Sequence, residues 1–152
     1  MIRKALDFLQ HHNEVAFATC EGNLPKIRVF QIMKQENTTL YFATSPQKNV
    51  YKELKNNPNI EILANADKIA VRCTGVVNFE VTDDIQQWIY KNNEVLSRLY
   101  TNYQKLTYFS LKIKAMDYYD LNPTPPIMLH FDLENGITNG GFVGEKFGMY
   151  KI

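Results

Sequence analysis

Three apolar, β-prone runs follow one another early in the chain with only turn residues between them. That order constrains the fold more than any other feature. Glu14 to Glu21 is short and rich in small apolar side chains, and "EGNLP" follows as a Gly/Asn/Pro turn. Lys26 to Lys34, "KIRVFQIMK", alternates. Ile27, Val29, Gln31 and Met33 fall on one side, and Arg28, Phe30 and Ile32 on the other. "QENTT" turns the chain again, and Thr39 to Ala43 makes a third strand. Connections this short join antiparallel neighbours, whereas parallel strands need a crossover of a dozen residues or so. The pattern is a meander and argues against a doubly wound parallel sheet.

The rest of the chain extends this reading. Ile2, Ala5, Leu6, Phe8 and Leu9 recur at near-helical spacing and predict an opening helix that ends near His11-His12-Asn13. Gln47 to Asn56 reads as a second helix, with Val50, Tyr51 and Leu54 on one stripe and Asn57-Pro58 as its stop. Asn59 to Ala64 and Ile69 to Val81 are strands, and Gly75 inside the latter marks a bulge or barrel bend. "TDDIQQWIYKNNEVLSRLY" reads as one long helix capped by Thr82 or Asp83. Ile85, Trp88, Ile89, Val95, Leu96 and Leu99 form its apolar stripe. Tyr108 to Tyr119 and Ile127 to Leu133 complete the strands. The glycine-bearing tail from about residue 134 to 152 reads as loosely ordered. A mainly β domain spanning 1–152, closed or nearly closed into a small barrel with peripheral helices, fits this order, because closure removes exposed strand edges.

Length and charge narrow the function. The chain has 152 residues, enough for one domain with a real core. A formal net charge of +1 supplies no global field to attract nucleic acid or an anionic membrane, so any attraction for anions is local. The two cysteines, Cys20 and Cys73, make no disulfide framework and read as small, half-buried apolar side chains. No apolar run is long enough to span a bilayer, and the N-terminus lacks a signal-peptide core, so the expectation is a cytoplasmic protein. His11 and His12 are adjacent on a helix and point apart, which makes them poor co-ligands, and no metal site is expected.

The signatures GxGxxG, GxxxxGK[ST], HExxH and GxSxG are all absent. What stands out is basic and polar. Arg28 lies inside an apolar strand and needs an anion, either a carboxylate such as Glu61 or a phosphate. The next strand ends in Thr44-Ser45-Pro46, and Lys48 follows at the start of a helix, whose free N–H groups and dipole favour negative charge. A guanidinium, an ammonium and two hydroxyls beside helix N–H donors suit a phosphomonoester. Equally, Ser45 before Pro46 makes an ordinary helix cap with proline at the first position, and Lys48 a solvated helix residue. These residues alone leave both readings open.

The sequence "PKIRVFQIM", a turn, "LYFATSPQKNVYKELKNNPNIEIL" and then "VRCTGVVNFEVT" resemble the pyridoxamine 5′-phosphate oxidase-like family of flavin-binding split barrels. The resemblance runs from the first helix to "MLHFDLENG" and is most specific between Arg28 and Ile62. It implies a six-stranded antiparallel split β-barrel and a homodimer with FMN at its interface. By position, Arg28 and Lys48 would hold the FMN phosphate with Thr44, Ser45 and Gln47 assisting. Val29 and Phe30 would run along the ring, largely through backbone, and Phe42 and Ala43 would line the same groove. Arg72 would be a polar contributor where the partner chain covers the ring. The tail "GGFVGEKFGMYKI" lacks the Arg and His that bind substrate phosphate in true pyridoxamine phosphate oxidases, and Gln47 replaces a second basic residue. Vitamin B6 oxidation is therefore not expected.

The expected function is an FMN-dependent oxidoreductase acting on an unknown small molecule, with NAD(P)H as a candidate electron source. The flavin ring carries the redox step, which agrees with the lack of a catalytic constellation. The alternatives are a flavin-binding module without turnover, or a split barrel that uses haem or a deazaflavin. Against haem, His130 follows Leu129 in a strand and reads as a packed or edge histidine rather than an axial ligand.

Overall fold

The structure, a computed structural model, describes residues 2–144 and 148–150, with side chains through residue 141. Helix α1 (Ile2–His11) leads into strands β1 (Glu14–Glu21), β2 (Leu24–Gln31), β3 (Lys34–Glu36) and β4 (Thr39–Thr44). Helix α2 (Asn49–Asn56) precedes β5 (Asn59–Ala66) and β6 (Ile69–Asn78). Helices α3 (Asp83–Lys91) and α4 (Glu94–Leu99) and a short 3₁₀ turn (Tyr103–Lys105) then lead to β7 (Thr107–Asp120). Strands β8 (Ile127–Asp132) and β9 (Ile137–Gly140) follow, and β10 (Phe142–Gly144) pairs with β11 (Gly148–Tyr150) as a separate ribbon.

The main sheet has nine strands and is antiparallel, in the order β2-β1-β5-β6-β7-β4-β3, with β8 and β9 added beside β7. The family resemblance implies a six-stranded barrel, and the difference has two sources. The expected strand from Lys26 to Lys34 is interrupted at Ile32–Met33 and becomes β2 and β3. These two segments are the ends of the pairing path, so the covalent chain between them closes it into a ring. Counted as one bent strand, β2 and β3 make a six-membered barrel with β1, β4, β5, β6 and β7. The second source is β8 and β9, which lie outside that ring. The 14-residue β7 holds both parts together. Its first half pairs with β4 (Thr44↔Thr107 to Thr39↔Lys112), and its second half pairs with β8 (Ala115↔Asp132 to Asp120↔Ile127). Its other edge stays on β6 from Asn78↔Ser110 to Ile69↔Asp120, apart from a shift of register between Thr74 and Gly75. This is the bulge that Gly75 marks in the sequence.

Turn chemistry fixes the hairpins. Gly22, at φ 59°, supplies the left-handed residue between paired Glu21 and Leu24. Asp67 and Lys68, at φ 53° and 65°, do the same between Ala66 and Ile69. The barrel interior is filled by rings. Phe42 stacks on Phe109 with centroids 5.4 Å apart, and Phe17 meets Phe42 edge-on at 5.3 Å. Phe30 and Phe79 pack on the same group. A smaller cluster of Ala43, Ile89, Leu96, Leu106 and Tyr108 seats the α3–α4 pair beside the end of β4.

Two local readings are corrected. The expected long helix breaks at Asn92-Asn93, whose side chains take up backbone groups. Asn92 Nδ2 donates to the Trp88 carbonyl, and the Asn93 side chain caps α4 by accepting from Leu96 N–H. The break turns the second half, and only Ile89 and Leu96 of the expected stripe are buried; Val95 and Leu99 are exposed. Trp88 is also exposed, with the Lys34 ammonium 4.1 Å from its ring centroid. Cys20 is exposed rather than half-buried, while Cys73 is buried and burial pushes its thiol up to about 12. No helix among the described residues is long and apolar enough to cross a membrane.

Candidate functional site

Alternation along β2 decides what each residue there can touch. Arg28 and Phe30 point into the barrel, and Phe30 joins the ring cluster. Ile27 and Val29 face outward and are about seven-tenths exposed. Val29 and Phe30 therefore lie on opposite faces of one strand, and a ligand can meet both together only along the backbone edge.

Arg28 has found a carboxylate, but from α2 rather than from Glu61. Its Nη2 lies 2.6 Å from Glu53 Oε1, and its Nη1 donates to Thr19 Oγ1 at 2.8 Å and to the Phe17 carbonyl at 3.3 Å. Thr19 in turn donates to Glu53. Glu61 is placed instead beside Thr74 and Arg72. Burial pushes the Glu53 carboxyl up. Hydrogen bonds from Thr19 and Arg28 and the charges of Arg28 and Lys26 outweigh it and hold the group below the ordinary carboxylate range. These contacts occupy three of the five guanidinium N–H donors, leaving Nε–H and one Nη2 hydrogen. The result is an arginine fixed from behind with part of its fork unspent.

Glu53 is the residue that sequence reasoning missed. The available signal was its place beside Leu54 and three after Val50 on the apolar stripe of α2, where a carboxylate needs a buried partner.

The corner after β4 departs from both expected forms. The helix starts at Asn49 rather than Gln47, and its cap residue is Lys48, which is extended and supplies no side-chain hydrogen bond. Ser45 does not cap the helix. Its Oγ accepts from Gln47 N–H at 3.3 Å and its carbonyl from Lys48 N–H at 3.1 Å, closing a turn around Pro46. The first turn of α2 is thus left without a side-chain cap, beside an exposed lysine. Thr44 is 3 % exposed, and its Oγ1 is buried with no hydrogen-bond partner. Such a hydroxyl is costly unless something bonds it. Phe42 and Ala43, before it, have buried side chains, so this stretch meets a ligand through backbone only.

His130 is not packed. It is about half exposed, and its Nδ1 lies 2.7 Å from Asp117 Oδ1. Asp117 is also the partner of Arg72, 2.9 Å away at Nη2.

A closed antiparallel barrel split at its longest strand, with a basic, uncapped helix corner beside it, defines a class that comparison with known proteins specifies. The family model described as pyridoxamine 5′-phosphate oxidase matches residues 1–120, and the chain belongs to that family. Solved structures share the fold. A Clostridium acetobutylicum protein related to general stress protein 26 of the pyridoxinephosphate oxidase family superposes with a TM-score of 0.73 at 14 % identity, over 90 % of this chain and 96 % of that one. A pyridoxamine 5′-phosphate oxidase-related, FMN-binding protein from Nostoc punctiforme gives 0.63 at 12 % identity, over 99 % and 93 %. A haem-binding protein from Mycobacterium smegmatis gives 0.69 at 12 %, over 88 % of this chain and 59 % of its own. No curated protein matches the chain.

Proposed function

We propose that the chain is an FMN-binding flavoprotein that holds the cofactor's phosphate at the corner between β4 and α2 and acts as an oxidoreductase on a small molecule. The observation that carries this reading is the buried, unpartnered Thr44 hydroxyl beside an uncapped helix start. A phosphate oxygen there would accept from Thr44 and from the free N–H groups of the first turn, with the helix dipole favouring its charge. Lys48 would add an ammonium, and Arg28 the unspent part of its fork, held in direction by Glu53. Ser45 and Gln47 shape the turn, and Val29 and Phe30 offer backbone along the ring. The bound flavin supplies hydride chemistry, with NAD(P)H as the proposed electron donor. The FMN-binding relative from Nostoc supports the same cofactor.

The test is the visible spectrum of the purified protein, followed by FMN titration. Flavin absorption with saturable binding is expected, and Lys48→Ala should weaken binding on the order of tenfold or more, as for a lost charge-assisted contact. Lys48 is exposed, so this variant leaves folding intact. A Soret band in place of flavin absorption, or a Lys48→Ala variant that binds FMN like the parent, would overturn the placement. Anaerobic NADH or NADPH should then bleach the bound flavin; no bleaching with either donor would leave a flavin carrier rather than an oxidoreductase.

A further inference from the structure

The barrel is open along one seam. Among the described residues, β2 pairs only with β1, and β4 pairs with β3 only from Thr39 to Tyr41. Beyond Tyr41 that edge of β4 carries no strand, so the backbone edges of β2 and of Phe42–Thr44 are both free. The chain crosses from one edge to the other at Ile32–Met33, where Met33 N–H donates to the Tyr41 carbonyl at 2.9 Å and ends the seam. Gln31 is the last residue of β2 before that bend. The α3–α4 pair packs at the same end, with Ala43 in one cluster with Ile89 and Leu96.

Asn93 fixes the direction of the Gln31 amide. A backbone N–H only donates, so the Asn93 atom that receives Leu96 N–H at 3.3 Å is Oδ1. The other end of that amide is the NH₂ group, and it donates to Gln31 Oε1 at 3.3 Å. With Oε1 turned to the helix cap, Gln31 Nε2 presents two N–H donors, and among the described residues no acceptor takes them. Gln31 is half-buried and shares the Val29 face of β2 rather than the Arg28 face. A free glutamine spreads its donors over many rotamers. Here the cap has already ordered them, at the end of an unpaired seam, so a ligand with acceptors along one side meets preorganised donors.

We propose that Gln31 is a redox-tuning residue, whose Nε2–H donates to the carbonyl- and imine-bearing half of the flavin ring, and that Asn93 is the positioning residue that aims it. The inference rests on the flavin reading given above. Negative charge builds on that half of the ring when electrons are taken up, and a hydrogen bond to a charged acceptor is the stronger one. A donor there therefore holds reduced FMN more tightly than oxidised FMN and raises the potential.

The test uses the full-length protein loaded with FMN and titrated with dithionite against a reference dye, with FMN affinity measured alongside. Gln31→Leu removes the donors and keeps the bulk. Reduced FMN should lose about tenfold more affinity than oxidised FMN, a fall of about 30 mV in the two-electron potential. Asn93→Asp is the sharper variant. Aspartate still accepts from Leu96 N–H and keeps the cap, but it cannot donate, so the Gln31 amide turns over to donate to it and shows the seam an oxygen. The potential should fall at least as far as in Gln31→Leu, with the melting temperature of Asn93→Asp unchanged. A purely structural role for the pair would leave the potential alone. A parental potential in either variant would overturn the proposal. If Lys48→Ala weakens FMN binding while the potentials stay parental, this inference falls alone and the phosphate corner stands; if the parent binds no FMN, both fall.

Discussion

At the scale of single residues, the barrel interior hides one ion pair that does two jobs. Glu53 is nearly inaccessible and lies on a helix, yet it is charged because Arg28 and Thr19 meet it across the barrel wall. Its folded pKa is depressed. The pair therefore stabilises fully above the ordinary carboxylate value, and this contribution fades as pH falls through the folded value. Glu53→Gln should cost about 3 kcal/mol at neutral pH, by leaving Arg28 without its counter-charge. The deficit should shrink toward zero in acid, where the parent's own Glu53 is protonated. Urea melts across that pH range decide it, and a deficit independent of pH would refute the assignment. Thr44 gives the opposite sign. Its hydroxyl is buried without a partner, so Thr44→Val should raise the melting stability of the flavin-free protein by up to about 1 kcal/mol while weakening FMN binding. A Thr44→Val variant that loses stability and keeps its affinity would place the hydroxyl in the core's service instead.

Between elements, backbone approach and helix ends matter more than side-chain identity. At the register shift in β6, a Cβ on Gly75 would lie 2.4 Å from Leu111 Cδ1 and 2.6 Å from the Lys112 carbonyl oxygen. Leu111 can move but the β7 carbonyl cannot, so Gly75→Ala should destabilise by about 1–3 kcal/mol, as overpacking does. A chemical-denaturation midpoint equal to the parent's would show that the bulge yields. The start of α2 poses the converse case. Lys48 is a poor cap, and Lys48→Asp should stabilise the helix by roughly 0.5–1 kcal/mol in the flavin-free protein. The same change places a negative charge where a phosphate is proposed to sit, and FMN binding should fall well beyond the loss in Lys48→Ala. A gain in stability with a loss of function is the signature of a helix end kept open for a ligand. The sequence reading saw the elements here but not their ends. Asn92-Asn93 looked like helix interior because periodicity continues through it, and only side-chain competition for backbone groups shows the break. Ser45 before Pro46 had every local mark of a cap. The chain instead spends those residues on a turn, and local propensity cannot register that choice.

For the molecule as a whole, alternation in β2 was legible before any fold was known, and it separates the two faces of Arg28 and Val29 correctly. Its consequence appears only when strand order is known. Register sets Val29 beside Ala16 and Ala16 beside Leu63, while Ile27 lies beside Ala18 on the same outward face. A sheet face open to water is ordinarily polar. This one exposes Ile27 and Val29 at 71 % and 72 % and Leu63 at 42 %, with small alanines between them that allow a flat surface to approach closely. This contiguous exposed aliphatic surface on β2 and β5 would cost an isolated chain solubility. We propose that a second copy of this chain covers the strip, as the family resemblance implies for a homodimer. The aliphatic rows at its centre would form the buried core of the contact and the charged end at Arg72 and Asp117 its rim. Light scattering should give twice the chain mass for the parent. Val29→Lys combined with Ile27→Lys should give the monomer mass without loss of helix or strand signal, because both positions are solvent-facing in the single chain. A parent that scatters as a monomer, or a double variant that still dimerises, would move the contact elsewhere. FMN titration of the monomeric variant then measures how far the flavin corner depends on the partner. A cofactor held at the interface should lose affinity along with the dimer, and one held wholly by Thr44, Lys48 and Arg28 should not.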